Sequence, residues 1–133
     1  MAKEVLTGRT AIVTGGGAGI GSVICEELSA EGAAIAIWDR DGAAATARAE
    51  SLPNARAYEV DIADSAAVDV ATEAVLGDLG SVEILVNNAG ISRVGDHTQV
   101  LSDEIWNESI AVMQTGVFFC SRAVGRHMIA AHV

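Results

Sequence analysis

Residues 14–22 read Thr-Gly-Gly-Gly-Ala-Gly-Ile-Gly-Ser, five glycines in nine positions directly after the apolar stretch "TAIV". Ordering glycine costs more conformational entropy than ordering any other residue, so such a run beside a core needs a reason. The chemistry it suits is anion binding. Backbone N–H groups at the start of a helix turn toward a phosphate, and no Cβ holds the phosphate off. Spacing chooses among the known loops. Gly16 and Gly21 have the separation of a Walker A loop, but Ser22 stands where the phosphate-reading lysine belongs. A Gly-x-Gly-x-x-Gly reading from Gly15 and Gly17 meets Ile20 at the third glycine. Thr-Gly-x-x-x-Gly-x-Gly does fit, on Thr14, Gly15, Gly19 and Gly21. The bland alternative is a flexible turn.

Three further polar groups each follow an apolar run. Asp39 comes 18 residues after Gly21. A carboxylate there accepts both hydroxyls of an adenosine ribose and repels a 2′-phosphate, which favours NAD over NADP. Arg40 is adjacent and is the cation that would welcome that phosphate, since the loop itself carries no lysine or arginine. The competing role for Asp39 and Asp41 is to cap the next helix, and for Asp41 the cap is preferred. "VDIAD" places Asp61 and Ile62 after the third run, with Asp64 again read as a cap. "NNAG" places Asn87, Asn88, Ala89 and Gly90 after the fourth. Asparagines there can bond backbone groups of neighbouring strands. Ala89 and Gly90 are small enough to let a ribose approach the main chain.

The elements that would position these groups alternate between strand and helix. "TAIVT" (10–14), "AAIAIW" (33–38), "ARAYEV" (55–60) and "VEILV" (82–86) read as strands. Ile20, Val23, Ile24 and Leu28 recur as one face of a helix ended by "EG" at 31–32. An alanine-rich helix spans roughly 41–51 and is closed by Pro53; another lies within 64–79, marked by Val68, Ala71, Val75 and Leu79. Two helical stretches follow, near 99–110 and 112–131. This order predicts an α/β fold with a doubly wound, Rossmann-like parallel sheet, and ligands beyond the carboxyl ends of the strands.

The four motifs, in this order and at the ends of four strands, resemble the short-chain dehydrogenase/reductase family, from about Gly8 to Met128. The resemblance implies an NAD(P)-dependent oxidoreductase working on an alcohol/ketone pair. It implies dinucleotide contacts at Thr14, Gly15, Gly17, Gly19, Ile20 and Gly21 of the loop, at Asp39 and Arg40, at Asp61 and Ile62 around the adenine, and at Asn88, Ala89 and Gly90. The family's chemistry uses a serine, a Tyr-x-x-x-Lys pair and an asparagine. The only tyrosine here is Tyr58 and the only lysine Lys3, so no such pair exists. In "VMQTGV" Met113 takes the asparagine's place, with Gln114 expected about 100° further round the helix. No catalytic residue is assigned. The expectation is a single, incomplete domain over 1–133, truncated after about four strands and their helices. The alternative to an enzyme is a non-catalytic NAD-binding module that associates with a partner. An acidic residue after the second strand also suits a methyltransferase-like domain, but the Thr14 loop and "NNAG" argue against that.

Composition bounds the partners. The formal net charge is −10 and only 4% of residues are aromatic, which disfavours nucleic acid and anionic membrane surfaces. His97, His127 and His132 lack metal-ligand spacing, and no metal is expected. Cys25 and Cys120 read as buried small hydrophobes in a reducing compartment, and the N-terminus has no apolar signal core, so a cytoplasmic location is expected. Trp38 and Trp106 read as core or interface residues, and Ser92 as a loop serine. A fourth strand left at a sheet edge, with Val117, Phe118, Val124 and Met128 on the last helix, predicts a homo-oligomer or a partner chain covering that edge.

Overall fold

The computed structural model describes residues 4–92 and 97–133. Four strands form the sheet: β1 (Thr10–Thr14), β2 (Ala34–Asp39), β3 (Ala55–Glu59) and β4 (Ile84–Val86). All pairings are parallel and the order is β3-β2-β1-β4. The helices are α1 (Gly19–Ala30), α2 (Gly42–Glu50), α3 (Ser65–Leu79), α4 (Asp103–Ile110) and α5 (Val117–Ala131).

Strand residues alternate between two cores, as a pleated strand requires. Ala11, Val13, Ile35 and Ile37 pack with Cys25 of α1 and Ala45 of α2. Ile12, Ala36 and Trp38 pack with Val68 and Val75 of α3 and with Cys120 and Val124 of α5. Both faces of β1 and β2 are therefore covered, which is why their sequences are apolar without interruption. Asp41 and Asp64 cap α2 and α3 through bonds from Ala44 N and from Ala66 N and Ala67 N, as the sequence implied. Ser102 caps α4.

Three expectations change. The face of α1 toward the sheet is Gly21, Ser22 and Cys25, while Ile20 and Val23 are 76% and 53% exposed. Ile24 and Leu28 of the expected face do pack against this core, but close approach to the strands demands small residues at Gly21 and Ser22 and leaves Ile20 and Val23 outside. The β4 ladder is shorter than "VEILV". Val82 N–H bonds His127 Nε2 on α5, and the Glu83 carboxylate accepts the Thr10 N–H. The last helical stretch begins with one 3₁₀ turn, Thr98–Val100, then runs from α4 into α5 through a π-helical segment, Ala111–Gly116. That segment closes i→i+5 bonds, a local widening of the helix that holds Met113 and Gln114. Both side chains are exposed. Trp38 is fully buried, as expected of a core residue, whereas Trp106 is 58% exposed.

Cys25 and Cys120 are buried free thiols in different cores. Burial pushes each up to about 11. Both should react slowly with a thiol reagent at pH 8 in the native chain and rapidly in denaturant. The native state keeps protons that the unfolded state loses, so the thiols leave stability unchanged below about pH 9 and lower it between pH 9 and 11. Urea midpoints across that range check the sign; a rise would contradict it.

Candidate functional site

The carboxyl ends of the strands meet at a junction built on Thr14. This residue is fully buried, and its hydroxyl oxygen accepts N–H bonds from Asn88 at 3.0 Å and Ala89 at 2.9 Å. The Asn88 side-chain amide donates back to Thr14 O at 3.0 Å and Gly15 O at 3.3 Å. The loop after β1 and the loop after β4 are thus one unit. Glycine is essential at two points of it. Gly15 has φ +64°, and a Cβ there would lie 2.9 Å from Ala89 Cα. A Cβ on Gly21 would lie 2.1 Å from Gly15 O, a distance no main chain tolerates.

Asp39 fixes the other side of the loop. One carboxylate oxygen accepts from Gly17 N at 3.0 Å, the other from Asp41 N at 2.9 Å. Asp61 holds its own turn through Ala63 N at 2.9 Å. Ile62 is buried against Gly116, where a Cβ would meet it at 2.8 Å.

Between these loops lies a cavity of about 420 Å³. Gly15, Gly19, Ile20, Asp39, Arg40, Asp61, Ile62, Asn88, Ala89 and Gly90, all expected from the sequence, line it together. Thr14, Gly17 and Gly21 are not in its lining. They stand behind it, where their role is to shape the loop. The apolar lining adds Ala18, Trp38, Val60 and Ile91, all within the strand-end segments 14–21, 38–40, 60–63 and 87–92 where the element order puts a ligand, and Val112, which sequence reasoning missed. Ala18, Val60 and Ile91 adjoin the motifs and were legible from position alone. Val112 comes from the π-helical segment, and only the folded chain brings it near.

The start of α1 opens on this cavity through Ala18, Gly19 and Ile20. Its N-cap, Ala18, offers no side-chain acceptor to the first-turn N–H groups. Those donors and the positive end of the helix face the glycine-lined wall, an arrangement that suits a phosphate. The residues present therefore fit a dinucleotide, with acidic groups for hydroxyls and amines, glycine for phosphate, and Trp38, Ile62 and Val112 as apolar lining.

The remaining polar candidates lie elsewhere. Tyr58 Oη donates to Asp78 on α3 at 2.8 Å, and Tyr58 is not in the cavity lining. Burial, then the bond and charge of Asp78, push its phenol well above the ordinary range. The Met113 thioether lies 3.6 Å from where a Cβ on Gly90 would be. Ser92 is an exposed loop residue. Lys3 lies outside the described residues. Among the described residues, no group of three or more His, Cys, Asp or Glu is placed to hold a metal ion, and no helix is long and apolar enough to cross a membrane.

This architecture and loop define a doubly wound nucleotide-binding domain. The profile of the short chain dehydrogenase family matches residues 9–133, and the chain belongs to that family. Galactitol 2-dehydrogenase of Rhizobium johnstonii is 44% identical over 135 aligned positions, covering 96% of this chain and 51% of that protein. D-threitol dehydrogenase of Mycolicibacterium smegmatis is 36% identical over 130, covering 95% and 50%. The crystal structure of a 3-ketoacyl-(acyl-carrier-protein) reductase from Brucella melitensis, complexed with NADH, superposes with a TM-score of 0.90 at 35% identity, covering 92% of this chain and 51% of that one. The chain spans about half the length of the curated relatives it matches.

The Thr14 junction is testable by itself. Thr14→Val keeps the shape but leaves the Ala89 N–H without its acceptor and the Asn88 N–H with Val86 O alone. We expect a loss of about 1–2 kcal/mol in urea unfolding, the cost of orphaning a partly buried donor and losing a second bond. A loss under about 0.5 kcal/mol, within the scatter of a surface change, would show that the junction is not structurally important.

Proposed function

We propose that these residues form the cofactor-binding part of an NAD-dependent oxidoreductase that interconverts an alcohol and a ketone. The observation that carries the reading is Asp39. It lines the cavity beside Arg40 while bonding the glycine loop through Gly17 N. The glycine wall and the start of α1 hold the pyrophosphate. Asp39 accepts the adenosine ribose hydroxyls and opposes a 2′-phosphate. Asp61 and Ile62 meet the adenine, and Asn88, Ala89 and Gly90 border the second ribose. When bound, NAD would supply hydride acceptance and donation. The protein residues named here orient it and exclude water from its apolar edge.

The 133 residues contain no Tyr-x-x-x-Lys pair, and Met113 stands where the family pattern has asparagine. A thioether cannot take or give a proton. We therefore read this chain by itself as binding NAD without turning over substrate, and nothing in the structure explains Met113.

Asp39 supports the loop as well as the proposed ligand, so Asp39→Ala would disturb both. Asp39→Asn retains an acceptor oxygen and is the better probe. In calorimetric titrations the parent chain should bind NAD⁺ saturably and more tightly than NADP⁺. Asp39→Asn should weaken NAD⁺ by about tenfold, the effect of losing a charged acceptor, and narrow the preference. Equal or tighter NADP⁺ binding by the parent would reverse the cofactor assignment.

Self-association through the β4 side is also proposed. Ile84, Leu85 and Val86 of this edge strand are only half-buried, and Phe118 and Ile129 of α5 are 55% and 78% exposed. Sedimentation should show a dimer or larger species; a monomer persisting at high concentration would rule the association out.

A further inference from the structure

Arg40 is the cation at the mouth of the cavity, and it does not stand alone. Its guanidinium lies 3.7 Å from a carboxylate oxygen of Glu108, with the two side chains 61% and 36% exposed. Arg40 follows the last residue of β2, whereas Glu108 comes from α4. Glu108 sits one helical turn before Val112, which also lines the cavity. The pair therefore joins the residue that follows β2 to helix α4.

We propose that Glu108 is a specificity-determining residue for the dinucleotide, acting through Arg40; this rests on the dinucleotide reading above. An arginine at this position is the group that would pair with a 2′-phosphate. Glu108 competes for that guanidinium, while Asp39 lines the cavity next to Arg40 in the chain. A 2′-phosphate arriving here must displace one carboxylate from Arg40 and approach another. A ribose with free hydroxyls meets neither penalty. Both side chains are partly solvated, so the effect is modest and weakens with salt.

The test is a cycle of calorimetric titrations with NAD⁺ and NADP⁺ on the parent chain, Glu108→Gln, Arg40→Gln and the double variant. Both substitutions are at solvent-accessible side chains, and far-ultraviolet circular dichroism checks that each chain is folded. Glu108→Gln should tighten NADP⁺ relative to NAD⁺ by about three- to fivefold at low salt, in line with an exposed ion pair. The gain should shrink as salt rises and disappear in the double variant. An unchanged ratio in Glu108→Gln, with NAD⁺ still bound, overturns the role of Glu108 alone. A gain that persists in the double variant overturns the route through Arg40 and leaves only a general charge effect. Failure of the folded parent chain to bind either dinucleotide overturns the cofactor reading and this inference together.

Discussion

The site depends on one hydroxyl. Thr14 ends β1 at the middle of the sheet, and its oxygen accepts the N–H groups of Asn88 and Ala89 beyond β4. The Asn88 amide returns the contact to the main chain of Thr14 and Gly15. These bonds close two loops that are distant in sequence into one floor. Buried backbone donors must be paired, so the arrangement has little freedom to open without cost. Gly21 then presses against Gly15 O, which fixes how near α1 approaches that floor. The helix cannot present Ile20 and Val23 to the sheet and also bring Gly21 this close. Both large side chains turn outward as a result.

The same economy governs the charged groups. Asp39 bonds Gly17 N and Asp41 N, so it shapes the loop before any ligand arrives. Arg40 is paired with Glu108 across the cavity mouth. Capping carboxylates occupy the starts of α2 and α3, whereas the start of α1, which faces the cavity, has no side-chain cap. Backbone donors are thus covered where they serve only the fold and uncovered where they border the cavity. The overall charge of −10 places many carboxylates around a site suited to an anionic ligand. Local donors and the helix end must therefore supply the attraction that the whole surface does not.

Some features were legible because they follow from local chemistry. The strand and helix alternation is written in apolar runs and caps. Asp41 and Asp64 cap the helices expected of them. The lining at Gly15, Gly19, Asp39, Asp61 and Asn88–Gly90 is read from motifs because each sits at a strand end, and parallel strands bring those ends together. Other features were not. Helical periodicity assigned Ile20 and Val23 to the core, since it counts apolarity and not how closely two backbones must approach. The bonds from Val82 N–H to His127 Nε2 and from Thr10 N–H to the Glu83 carboxylate join separate elements, and no local pattern shows them.

The sequence by itself determined the fold class, the location of the cavity-lining loops and the acidic group at the end of β2, because glycine spacing and strand-end polarity are local signals. Only the tertiary structure decided that Thr14, Gly17 and Gly21 support the wall without lining it. It alone brought Val112 to the cavity and Glu108 to Arg40. Those relations depend on the π-helical passage from α4 to α5 and on how that helix packs over the sheet. No local pattern encodes a distance between residues held on separate elements.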